Sequence, residues 1–225
     1  MTVLKYVRIA EAALLSHIDV LRQMGRILRR AGIPVKFSQG FNPHSLVFFS
    51  PPAVLGVSSL AEYVAIDTDM PAEEVFGRYN AAVNDNMRAT EYFEVAKNPN
   101  LAGRIAAADY IFPFAAKDVR IGDTFTVEYE KKGEKVREDV RGKIYGVSSA
   151  SDGRLVMRLA AGNVTLRPDR VFRTLKESVQ SCGALTDTVK TAQYAACEGG
   201  FVDVDDLLRK GDRAGGPAGA PSMTK

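Results

Sequence analysis

Residues 16–52 read SHIDVLRQMGRILRRAGIPVKFSQGFNPHSLVFFSPP, a basic helix that runs into a glycine-containing loop and then a short apolar strand. Ser16 is placed to cap the helix by accepting the amide of Asp19, whose charge suits the first turn. Gly32 fits the left-handed residue just past the last turn, and Pro34 cannot continue a helix. Between them Ile18, Leu21, Met24, Leu28 and Ala31 recur three and four apart, which predicts a core face, while Arg22, Arg26, Arg29 and Arg30 take the opposite side.

Working outward, residues 3–9 have the β-rich, partly alternating character of a strand. Residues 46–50 are a short apolar strand stopped by Pro51 and Pro52, and residues 61–67 (AEYVAID) alternate cleanly. Pro71 opens a second helix through about residue 83, with Val75, Phe76, Tyr79 and Val83 on one face. Residues 88–95 make a fourth strand. The order β-α-β-β-α-β with right-handed crossovers predicts a ferredoxin-like split sandwich over residues 1–97, both helices on one face of a four-stranded sheet.

The stretch KNPNLAG, with Pro99 and Gly103, marks a boundary. Beyond it residues 110–114, 124–131, 135–140, 143–147 and 154–160 read as strands, KKGEK supplying a hairpin turn at Gly133, and residues 167–178 read as a helix. The expected class is α+β: the ferredoxin-like unit, a smaller strand-rich α+β unit at 105–178, a helical extension at 179–210, and a tail at 211–225 too poor in apolar residues to order itself.

The chain has 225 residues, 46% of them hydrophobic and 25% charged, an ordinary globular composition. No apolar run reaches the length of a membrane span and the start lacks a signal-peptide core, so a cytoplasmic protein with no membrane partner is expected. Cys182 and Cys197 stand alone, which leaves no cysteine set for zinc or an iron–sulfur cluster, and both are expected as small apolar residues. The common nucleotide-binding and hydrolase signatures are absent from the sequence. Residues 1–50 hold seven basic residues (Lys5, Arg8, Arg22, Arg26, Arg29, Arg30, Lys36) against Glu11 and Asp19, a net +5, whereas the whole chain carries +3. Concentrated positive charge suits phosphates or an acidic partner.

The run LLSHIDVLRQMGRILRRAGIPVKFSQGFNPHSLVFFSPPAVLGVSSLAEYVAID, followed later by EKKGEKVREDVRGKIYGV and AAGNVTLRPDRVFRTL, resembles the radical-SAM-linked protein family filed as the domain of unknown function DUF2344. The likeness covers about residues 3–176 and rests on the words S-H-x-D, S-Q-G-F-N-P-H and L-R-P-D. Members of that family occur alone or fused behind a radical SAM domain, and the family has no established activity. The resemblance implies a radical SAM partner. With no cluster-binding cysteine triad, this chain would be the companion and not the radical enzyme.

The candidate site gathers Ser16, Arg22, Arg26, Arg29, Arg30, Ser38, Gln39, Gly40, Phe41, Asn42 and His44, with Arg167 from the second half; no metal or cofactor is expected. Guanidiniums suit phosphates, and the loop offers Phe37, Phe41 and two amides for bases. One reading is a non-catalytic companion that binds RNA, tRNA or rRNA, or presents substrate. A second makes His17 and His44 the acid and base of a metal-independent ribonuclease. A third is a protein scaffold. L-R-P-D at 166–169 also reads simply as a turn into a helix.

Overall fold

The computed structural model describes residues 1–179 and 183–210; Cys182 and the tail at 211–225 lie outside the described residues. In the first half the elements are β1 (Thr2–Arg8), α1 (His17–Arg30), β2 (Val47–Phe49), β3 (Ser58–Ile66), α2 (Ala72–Ala82) and β4 (Ala89–Glu94). They form the antiparallel order β4-β1-β3-β2 of a βαββαβ split sandwich, as expected. Strand alternation explains the layering: Leu4, Tyr6, Val64 and Ile66 bury against Val20, Met24 and Ile27 of α1 and Val75 and Tyr79 of α2. Val3, Tyr63, Ala65 and Phe93 join the other core cluster.

In the second half α3 (Leu101–Arg104) leads into β5 (Ile105–Ala115). A separate hairpin follows, β6 (Thr126–Lys131) and β7 (Glu134–Asp139), then β8 (Ile144–Ser149), β9 (Arg154–Ala160) and α4 (Pro168–Ser178). Strands β5, β9 and β8 are antiparallel neighbours. From α4, Val171, Phe172 and Leu175 pack into the cluster of Phe112, Phe114 and Met157, the Phe114 and Phe172 rings lying 5.4 Å apart.

The expected helical extension at 179–210 is corrected. Val189–Cys197 is a strand, β10, and a two-residue turn at Glu198 and Gly199 returns the chain as β11 (Gly200–Asp203); only α5 (Val204–Arg209) is helical. β10 runs antiparallel to β5 and pairs parallel with β3 at Val189–Ser58 and Lys190–Ser59, so both halves share one nine-stranded mixed sheet. The run VKTAQYAAC hides this role because two of its inward positions are polar. Lys190 and Gln193 are buried, the first against Glu62 at 2.5 Å, the second on Ser50 Oγ at 3.0 Å. Cys197 ends β10 as a half-buried free thiol. No helix among the described residues is long and apolar enough to cross a membrane.

Candidate functional site

Ser16 caps α1 as its sequence requires: Oγ accepts the Asp19 amide at 3.2 Å and donates to Asp19 Oδ2 at 2.6 Å. The other end closes as a Schellman motif, with Gly32 at φ +63°, its amide on Arg29 O and the Ile33 amide on Leu28 O. The buried face differs from the expected one. Val20, Met24, Ile27 and Leu28 are buried, whereas Ile18 and Leu21 are exposed. Packing against α2 selects the stripe that contains Val20 and Ile27, and Arg30 marks that side by donating to Ala82 O, the last carbonyl of α2, from Nε at 3.0 Å and from Nη2.

The arginines therefore part company. Arg30 closes the helix pair. Arg29 donates Nε to Gly25 O at 3.3 Å, and Arg22 lies 3.6 Å from Asp19. Arg26 has no hydrogen bond or ion pair among the described residues. Arg22, Arg26 and Arg29 all stand exposed on one side of the helix.

The loop after α1 is a narrow hairpin from Lys36 to Leu46. Its rungs are Leu46 N on Lys36 O at 2.8 Å, Ser38 N on His44 O at 2.9 Å and a bridge between Phe37 and Ser45. Lys36 fixes the base through Asp69 at 2.6 Å and Asp67 at 3.6 Å; its hydrogen bond to Asp69 raises the ammonium pKa above the ordinary value. The tip carries Gln39, Gly40, Phe41 and Asn42. Phe41 is fully exposed and Phe37 is 60% exposed. The side-chain amides of Gln39 and Asn42 make no hydrogen bond among the described residues.

His44 is held within this hairpin: Ser38 Oγ accepts the His44 amide at 3.1 Å and lies 2.8 Å from Nδ1. His17 meets Phe49 edge-on with centroids 6.2 Å apart. No hydrogen bond or ring contact joins the two histidines among the described residues. Arg167 caps nothing with its side chain. It grips Asp169 with two bonds of 3.0 Å at the start of α4, and no described bond ties it to α1 or the hairpin.

Two polar clusters escaped sequence reasoning. At the seam between the halves, Arg8 is buried with Nη1 on Ala53 O at 3.0 Å and Nη2 on Ala13 O at 3.2 Å and Val54 O at 3.3 Å. Glu62 accepts the Ala53 amide at 3.3 Å and pairs with Lys190, which also donates to Pro51 O at 3.1 Å. Three buried ionisable groups thus strap residues 51–54 to the sheet. Burial pushes the Lys190 ammonium pKa down, opposed by Glu62. The sequence signal for it is weak, since Arg8 and Lys190 sit on strands that carry other polar residues, Thr2 and Lys5 in β1 and Thr191 and Gln193 in β10. The second cluster spans β5, β9 and β10. Arg158 pairs with Asp109 at 2.7 and 2.9 Å, Tyr194 donates to Asp109 at 2.8 Å, and the guanidinium lies 3.8 Å from the Tyr194 ring centroid. Burial, then the Asp109 bond, push the Tyr194 phenol up to about 12.

A cavity of about 320 Å³ beside β8, lined in part by Ile121, Arg141 and Tyr145, shares no residue with the α1 and hairpin face. Among the described residues no three His, Cys, Asp or Glu side chains gather as a metal site. A protein-family model described as "Uncharacterized protein conserved in bacteria (DUF2344)" matches residues 2–168. No curated protein matches the chain.

Proposed function

The chain belongs to the DUF2344 family of uncharacterized bacterial proteins, and we propose that it is a non-catalytic binding module that takes RNA on α1 and the Lys36–Leu46 hairpin, as companion to a radical SAM enzyme. The observation that carries the RNA reading is the pairing of exposed guanidiniums on Arg22, Arg26 and Arg29 with a hairpin that lifts Phe41 wholly into solvent. Guanidiniums meet phosphates and an exposed aromatic ring stacks on an unpaired base, the combination used for single-stranded RNA in tRNA or rRNA. The side-chain amides of Gln39 and Asn42 add donors and acceptors for base edges. The radical SAM partnership rests on the S-H-x-D and S-Q-G-F-N-P-H words and on the lack of a cysteine triad in the sequence. Binding is favoured over two-histidine cleavage because each histidine is engaged separately, one by Phe49 and one by Ser38.

Binding of a labelled single-stranded RNA measured by anisotropy across a salt series tests this reading. Wild type should lose affinity linearly in log salt, and Arg22→Gln/Arg26→Gln/Arg29→Gln should flatten the slope by about two, each lost contact on a single strand being worth roughly 0.7. Absence of binding at low salt, an unchanged slope in the triple variant, or metal-independent release of a 2′,3′-cyclic phosphate by wild type would each overturn it.

A further inference from the structure

α1 already owns a complete buried stripe in Val20, Met24, Ile27 and Leu28, so its remaining apolar residues serve no core of this chain. Ile18 is 59% exposed and Leu21 is 38% exposed; Leu14, in the turn that leads into the helix, is 59% exposed. Positions 18, 21 and 25 are spaced three and four apart and therefore fall on one line of the helix. The third is Gly25, a poor residue for a helix interior. A Cβ built there meets nothing within 4 Å, so no neighbour within this fold demands a glycine.

Exposed aliphatic side chains in a line, ending at a position stripped of its side chain, describe a helix-packing surface without its second helix. A glycine lets two helix axes approach closely at a crossing. The charges beside the line restrict the occupant. Arg22 follows Ile18 by one turn and Arg29 follows Gly25 by one turn, and Asp19 is the only acid on the helix. A second copy of this chain would bring the same arginines face to face. RNA gains little from aliphatic side chains, since its bases stack on flat aromatic or guanidinium groups.

We propose that the Ile18–Leu21–Gly25 line of α1 docks an amphipathic helix of a partner protein, one that carries acidic residues beside its apolar stripe. This surface shares Arg22 and Arg29 with the RNA reading but is centred on Ile18, Leu21 and Gly25, which that reading does not use. Both Arg22 and Arg29 would face acids of the incoming helix along one flank, while its leucines cover Ile18 and Leu21 and its backbone crosses at Gly25.

The probe is a designed 20-residue helical peptide with leucines at helical spacing and glutamates along one flank, compared with the same peptide carrying lysines there. Anisotropy against the full chain should show the glutamate peptide binding at least about tenfold more tightly than the lysine peptide, a difference of roughly 1.4 kcal/mol. Ile18→Ser/Leu21→Ser and Gly25→Gln should each weaken the glutamate peptide about tenfold, the scale of a lost anchor in a helix-in-groove contact. All three positions are exposed or open, so melting should confirm that both variants fold, and their affinity for single-stranded RNA should stay within about twofold of wild type. Equal binding of the two peptides, or variants that bind as wild type does, would overturn the proposal. So would Ile18→Ser/Leu21→Ser losing RNA or anionic phosphatidylglycerol vesicles in place of the peptide.

Discussion

Arg8 and Arg26 come from the same basic N-terminal segment, yet one is sealed at the seam with two of its three nitrogens on three backbone carbonyls and the other stands exposed with no described partner. The seam that holds Arg8 contains charges which exist to satisfy backbone and one another. On the exposed side of α1, Arg26 is a charge that no described partner consumes. A buried charge is expensive to strand, and a solvated one is cheap to remove. Residue type therefore says little about whether an arginine is structural; its partners decide.

The largest effect that would break this contrast is at Lys190. Lys190→Met leaves Glu62 buried with the Ala53 amide as its remaining described partner, and should cost about 3–5 kcal/mol in urea unfolding. Glu62→Leu/Lys190→Met should recover much of that loss, because the stranded charge goes with its partner. A single-variant loss below about 1 kcal/mol would show the seam to be no tighter than the surface. The same group gives a pH signature. Burial holds the folded-state ammonium below its ordinary value of 10.5, so in the window beneath 10.5 the unfolded chain binds the proton that the folded chain releases. The penalty for burying the charged form is thus present at lower pH and relieved as pH rises toward 10.5, giving stability a positive slope there that Lys190→Met should lack.

The same contrast explains what could be read from the sequence. The βαββαβ order was legible because its strands alternate and its helices carry caps: Ser16, Gly32 and the Pro71 start act locally, within a few residues. The roll of α1 was not legible. Ile18 and Leu21 on one flank and Val20 and Ile27 on the other share Met24 and Leu28, and only the position of α2 chooses between the two stripes. β10 was hidden for the reason that hid Arg8. Lys190 and Gln193 occupy inward positions whose partners, Glu62 and Ser50, lie more than a hundred residues away, so a buried polar strand was read as a helical extension. In the candidate site the arginine stripe was visible as a pattern. Its division was not: Arg30 is engaged by α2, and Arg167 is engaged by Asp169 and has no described bond to the α1 face.

A smaller effect sharpens the comparison inside α1 itself. Arg30 donates to Ala82 O at the open end of α2, whereas Arg26 donates to nothing described. Arg30→Gln should therefore cost about 1 kcal/mol, the worth of an ordinary hydrogen bond, and lower the melting temperature by roughly 2–4 °C in a chain of this size. Arg26→Gln should leave melting unchanged while reducing RNA affinity. The reverse pattern in calorimetry and anisotropy would mean that the two arginines have exchanged roles.

The smallest effect has the opposite sign. Gly25 sits mid-helix with open space where its side chain would be, so Gly25→Ala adds a methyl that, beyond its chain neighbours and the helix's own adjoining backbone, meets nothing within 4 Å. Alanine loses less backbone freedom on folding than glycine, and the substitution should raise stability by about 0.5–1 kcal/mol, read as a small upward shift of the melting temperature. A glycine just after β9 would not respond this way: at Gly162 the same methyl would lie 2.1 Å from Ile105 O, at a φ of +72° that an alanine resists. If Gly25→Ala stabilises the free chain yet weakens the glutamate-flanked helical peptide, the chain gives up stability at that position to keep its surface open. If it stabilises the chain and leaves peptide affinity untouched, the close crossing at Gly25 is wrong even where Ile18 and Leu21 still bind.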